Sequence, residues 1–184
     1  MDTTAWQGPP TDVLGCAVPI QQFLARTEYA VVALHHAVAV PEGCTLTLHL
    51  SVRRGQMNES AWAHVTDTDL GADPGPSAGD WRLGVRLPGG AKATTVEHPF
   101  PGWATGSDKP ENPLLVESGA DSASNNREYR RQQQLWLWPL PPPAPFEFIF
   151  EWPGMSIDPT VTILDGAAIV RAATLALPYW PDAT

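Results

Sequence analysis

The chain has 184 residues, of which 43% are hydrophobic, and a formal net charge of −9, enough for one domain with a sizeable core. The acidic balance weighs against nucleic acid and anionic lipid as partners, because both demand a basic face. Twenty prolines, roughly twice ordinary usage, weigh against long helices and favour short strands joined by ordered loops.

Residues 1–12, MDTTAWQGPPTD, lack a positive n-region and an apolar h-region, which predicts no signal peptide and a cytoplasmic protein. They form a predicted flexible arm. Trp6 is its exception, either folding back over a surface pocket or contacting another subunit. Residues 13–184 are predicted to form a single domain. No apolar stretch reaches ~18 residues, so no membrane insertion is expected. Cys16 and Cys44 lack CxxC spacing and are expected to be reduced, buried thiols.

Val13 to Arg26 is ambiguous, with an edge strand around Pro19. Tyr29 to Val40 is a strand with Val32, Leu34, His36, Val38 and Val40 on one face. Val31, Ala33, His35, Ala37 and Ala39 take the other. Thr45 to Arg54 returns antiparallel to it, with Leu46, Leu48, Leu50 and Val52 inward. The SAWAHV segment is a brief strand or a helical turn, and DTDLGADPGPSAGD is turn chemistry. Trp81 to Leu87 and Ala91 to Glu97 make a second hairpin around Pro88-Gly89-Gly90. Residues 98–134 are predicted to form a long irregular loop.

Leu135 to Trp138 and Phe146 to Trp152 are strands. In the second, Phe146, Phe148, Phe150 and Trp152 share one aromatic face. Pro141 to Pro145 join them as a stiff bridge, about 15 Å long at ~3.1 Å per residue. That exceeds the ~10 Å between stacked sheets, so the bridge can cross between them. A short strand at Val161 to Leu164 precedes a buried helix from Gly166 to about Leu177, capped by Asp165 and stopped by Pro178. The fold class is mainly all-β: a sandwich of two largely antiparallel sheets with one C-terminal helix.

The pair YAVVALHHAVAVPEGCTLTLHLSVRR, the hairpin WRLGVRLPGGAKAT and LWLWPLPPPAPFEFIFEW followed by DGAAIVRAA resemble a family of uncharacterised actinobacterial proteins. The resemblance covers most of residues 13–181, and WPLPPP is its most specific part. It implies one intact intracellular β-rich domain and carries over no catalytic residue.

Candidate chemistry is sparse. HExxH, GxxxxGK and GxGxxG are absent, so neither catalytic residues nor a cofactor are predicted, and the weight lies against an enzyme. His35 and His36, as strand neighbours, are expected on opposite faces, where they cannot share a metal. His49 is placed outward on the partner strand. Asp67, Asp69 and Asp73 are weak calcium candidates, since an EF-hand loop wants Gly and Glu where Ala72 and Ala78 stand. Arg127, Arg130 and Arg131 with Tyr129 form a basic cluster that either grips an anion or balances Glu117, Asp121 and Glu128. Of eight tryptophans, Trp6 and Trp103 fall in loops and are the interface candidates. The leading expectation is a non-catalytic protein-interaction or assembly module. A small-ligand or sugar-binding sandwich is the alternative, and an enzyme with residues dispersed around 98–134 the third.

Overall fold

A computed structural model describes residues 5–66, 80–96 and 110–180. Two antiparallel sheets stack into a sandwich. In chain order the elements are β1 (Val13–Leu14), β2 (Cys16–Arg26), β3 (Ala30–Val40), β4 (Gly43–Arg53), α1 (Glu59–Thr66), β5 (Arg82–Arg86), β6 (Lys92–Thr94), β7 (Leu114–Ser124), β8 (Glu128–Trp138), β9 (Pro145–Trp152), β10 (Ile157–Asp165), α2 (Gly166–Ala173) and β11 (Leu177–Pro178). One sheet runs β2-β3-β4-β8-β7, the other β10-β9-β5-β6, and β1 with β11 forms a small terminal ribbon.

Strict alternation fills the space between the sheets. Leu46, Leu48 and Leu50 of β4 and Leu135 and Leu137 of β8 meet Phe146, Phe148 and Phe150 of β9 and Leu83 and Val85 of β5. α2 closes one end with Ile169 and Ala172. Its first turn is held by Asp165, whose Oδ1 accepts from the Ala168 N–H at 3.0 Å. The helix stops at Ala173, one turn before the predicted end, because Leu177 and Pro178 are taken by the ribbon with β1. The SAWAHV segment is helical, with Asn58 Oδ1 accepting from the Ala61 N–H at 2.8 Å.

The proline bridge does carry the chain from one sheet to the other, since β8 and β9 belong to different sheets. The Leu140 N–H donates to Glu42 O at 3.0 Å and anchors its start. Replacing Pro142 and Pro143 with glycine should lower stability by about 0.4–1 kcal/mol per site, through a looser unfolded chain. Thermal melting checks this. An unchanged melt would show that the bridge owes nothing to proline stiffness.

Three expectations need correction. First, the predicted loop at 98–134 contains β7 and the N-terminal part of β8, which begins at Glu128 and not at Leu135, and the two strands pair antiparallel. Hydropathy missed them because the inward positions of β8 include Tyr129, Arg131 and Gln133, while the distal half of β7 is exposed on both faces. Residues 97–109 lie outside the described residues. Second, residues 5–12 are not a free arm, because Trp6 is 4% exposed and sits in a second apolar cluster. Third, β3 does not keep one phase. Leu34 pairs with Leu48 and His36 with Thr47, so His35 is an extra residue in a β-bulge. Val32 and Leu34 face the core before the bulge, and Ala37 and Ala39 face it afterwards.

The second cluster lies on the outer face of the five-stranded sheet. Trp6 covers Trp136, Trp138, Val40, Leu114 and Val116 there. The Trp136 indole Nε1–H donates to Ala5 O at 3.1 Å. Gly43 makes room for this arrangement: a Cβ there would meet the Trp136 ring at 2.7 Å and Leu137 O at 2.5 Å.

Cys16 and Cys44 are free thiols. Each pairs across Ala39 of β3, so they stand two strand spacings apart, about 9–10 Å, beyond disulfide reach. Burial pushes the Cys44 thiol up to about 12.

Candidate functional site

Trp6 closes one end of the outer face of the five-stranded sheet, and the other end is open. There β3, β4, β8 and β7 bring Val31 and Ala33, His49 and Ser51, Arg130 and Gln132, and Asp121 into one groove of about 450 Å³. Cross-strand register explains the grouping. Ala33 pairs with His49, His49 with Gln132, and Gln132 with Asp121, so one row crosses four strands. Phe23 of β2 continues that row beside Ala33, with the Arg26 guanidinium carbon 3.3 Å from its ring centre.

The β3 bulge gathers the histidines at the edge of this groove. His35 and His36, expected on opposite faces, touch through their Nδ1 atoms at 3.0 Å. The extra residue breaks the two-residue period and overturns the sequence argument. His49 stacks on His35, with ring centres 4.7 Å apart and an interplanar angle of 21°. His36 Nε2 lies 3.4 Å from Thr47 Oγ1. Burial first, and the His35 charge second, lower the His36 pKa. Burial, then His35 and His36, lower that of His49.

Folding therefore disfavours protonation of both rings. Below their ordinary pKa the unfolded chain binds more protons, so stability is full above that value and drains away as pH falls through it. The melting temperature should fall between about pH 7.5 and about pH 5.5, and the double variant His36→Gln/His49→Gln should flatten that slope. An equal slope in the variant would assign the pH response to other groups.

Strand alternation splits the predicted basic cluster. Arg127 is exposed in the turn before β8, and Arg130 faces the groove, bonded to Glu128 at 2.8 Å. Tyr129 and Arg131 instead point between the sheets. Arg131 bonds Glu117 at 3.1 Å through a terminal guanidinium nitrogen and Gln133 Oε1 at 2.8 Å through Nε. Desolvation raises the Glu117 pKa. It also pushes Tyr129 up to about 12, aided by the Glu117 charge. The adjoining cleft, lined by His64, Asp80, Trp81 and Tyr129 among others, measures about 30 Å³, room for about one water.

Trp6 is buried and is not an exposed contact residue. Trp103 and the aspartates Asp67, Asp69 and Asp73 lie outside the described residues. Among the described residues, no three His, Cys, Asp or Glu side chains converge on one point, and no helix is long and apolar enough to cross a membrane.

Sequence reasoning missed two features. The histidine cluster depends on the bulge, which alternation cannot reveal. The segment Gly75-Pro76-Ser77-Ala78-Gly79 fits GxSxG spacing and lies outside the described residues. No family model matches the chain, and no curated protein matches it.

Proposed function

We propose that this protein is a cytoplasmic interaction module that pairs with a second copy of itself through its terminal ribbon. One observation carries the reading. In and beside the ribbon, Val13 and Ala176 pack inward on the Trp6 cluster, while Leu14, Leu175, Leu177, Tyr179 and Trp180 are each more than half exposed, Trp180 at 70%. Monomers rarely leave so many large apolar side chains together in water. None of the five is charged. On a chain of net charge −9, such a neutral surface lets two like-charged copies meet with little repulsion.

Sedimentation equilibrium tests this. The mass should rise with concentration above 19.9 kDa towards twice that value. The variant Leu177→Asp/Trp180→Ser should remain monomeric with its melting intact. A wild-type chain that stays at 19.9 kDa at every concentration would overturn the proposal.

The groove favours a second reading, a small polyol or sugar ligand. Asp121, Arg130, Gln132 and Ser51 offer acceptors and donors over the apolar floor of Val31 and Ala33. This differs from a tryptophan platform, because Trp6, Trp62, Trp136, Trp138 and Trp152 are buried. Calorimetry against a broad glycan panel tests it, and silence across the panel would dismiss it.

A further inference from the structure

We propose that His35 and His36 form a two-nitrogen chelate for a divalent transition metal, Cu²⁺ above all. The β3 bulge supplies the geometry, because it turns two adjacent side chains to the same side of the sheet. Their Nδ1 atoms stand 3.0 Å apart. Two imidazole nitrogens bound at right angles to one metal, each at about 2.0–2.1 Å, stand about 2.9 Å apart. The chelate then needs each ring to turn about its Cβ–Cγ bond until both lone pairs meet at a shared point. Imidazole ligands in a tetragonal arrangement select Cu²⁺ and Ni²⁺, and Cu²⁺ heads the divalent affinity order.

The surroundings suit the chelate. Thr47 Oγ1 lies 3.4 Å from His36 Nε2; with the hydroxyl oxygen accepting, the ring proton sits on Nε2 and Nδ1 is left to bind metal. In that tautomer, and without metal, His36 Nδ1 is the acceptor and His35 Nδ1–H the donor of their 3.0 Å contact. On metal binding that proton shifts to His35 Nε2, so the ring stays neutral and no proton is lost.

His49 is not a third ligand in this arrangement, because nearly parallel stacked rings cannot aim lone pairs at one atom. It is a positioning residue that packs on the face of His35 and limits how far that ring turns. The remaining coordination positions are open to water, or to a ligand in the groove that His49 lines.

The test is calorimetric titration of the metal-free full chain with Cu²⁺ near neutral pH, with electron paramagnetic resonance on the loaded protein. One ion per chain and a two-nitrogen coupling pattern are expected. His35→Gln and His36→Gln should each weaken binding about tenfold or more, while His64→Gln, on α1, leaves it unchanged. His49→Ala should loosen binding, and His49→Phe, which keeps a stacking ring without a nitrogen, should restore it. Thermal melting confirms that each variant is folded. Wild-type affinity in either chelate variant, or loss in His64→Gln, would overturn the proposal and mark the copper as adventitious. Equal affinity in the two His49 variants would remove the positioning role.

Discussion

Replacing Trp6 with alanine is expected to cost about 3–5 kcal/mol, the range for deleting a buried tryptophan. Trp6 is 4% exposed and covers an outer sheet face that would otherwise present Trp136 and Trp138 to water. Its removal also loosens Ala5, whose carbonyl accepts from the Trp136 indole, at a further cost of about 1 kcal/mol. The urea midpoint should fall accordingly, and a dye that binds exposed apolar surface should bind the folded variant more strongly. The outcome separates the two roles the sequence allows for this residue. A Trp6 that contacted another subunit would, when replaced, change the sedimentation mass and leave the monomer's melting intact. A loss below about 1 kcal/mol would show that the segment is not part of the core.

Much of the sandwich is legible in the sequence wherever polarity and geometry agree. Phe146, Phe148, Phe150 and Trp152 alternate with Glu147, Ile149 and Glu151, and all four aromatics are buried. Leu46 to Val52 behaves in the same way, and the proline bridge is long enough to cross between the sheets, as it does. The failures arise where side-chain polarity and position disagree. Arg131 and Gln133 are polar, yet they sit between the sheets because each finds a partner there. A hydropathy pattern scores them as loop and loses the β7–β8 hairpin. Trp6 lies beside turn residues, and only the distant outer positions Trp136 and Trp138 reveal what it covers. The histidine cluster was hidden for a third reason. Each residue was correctly placed on a strand, but one extra residue in β3 reversed the face of everything after it.

Arg131 is the second position where a large effect is expected, and its neighbour Arg130 is the control. The Arg131 side chain is 8% exposed and holds both Glu117 and Gln133, with its guanidinium 5.3 Å from the Trp81 ring centre. Arg131→Ala should cost about 3 kcal/mol, towards the lower end for a broken buried pair because Glu117 keeps some contact with water. Arg130 pairs with Glu128 at a largely exposed site, so Arg130→Ala should change stability by less than about 0.5 kcal/mol. Replacing both members of the buried pair, as Arg131→Met/Glu117→Leu, should recover most of the loss, since apolar side chains of similar volume need no partner. The single variant should also acquire a pH signature. Desolvation already holds the Glu117 pKa above its ordinary value, and losing the guanidinium raises it further. The folded state then binds its proton more tightly than the unfolded chain, so stability must fall as pH rises through the carboxylate range. Denaturant titrations at two pH values on either side of that range would show the slope in Arg131→Ala and its absence in the double variant. If Arg131→Ala melts like wild type, the pair contributes nothing to the fold, and Arg131 returns to consideration as a ligand-binding residue.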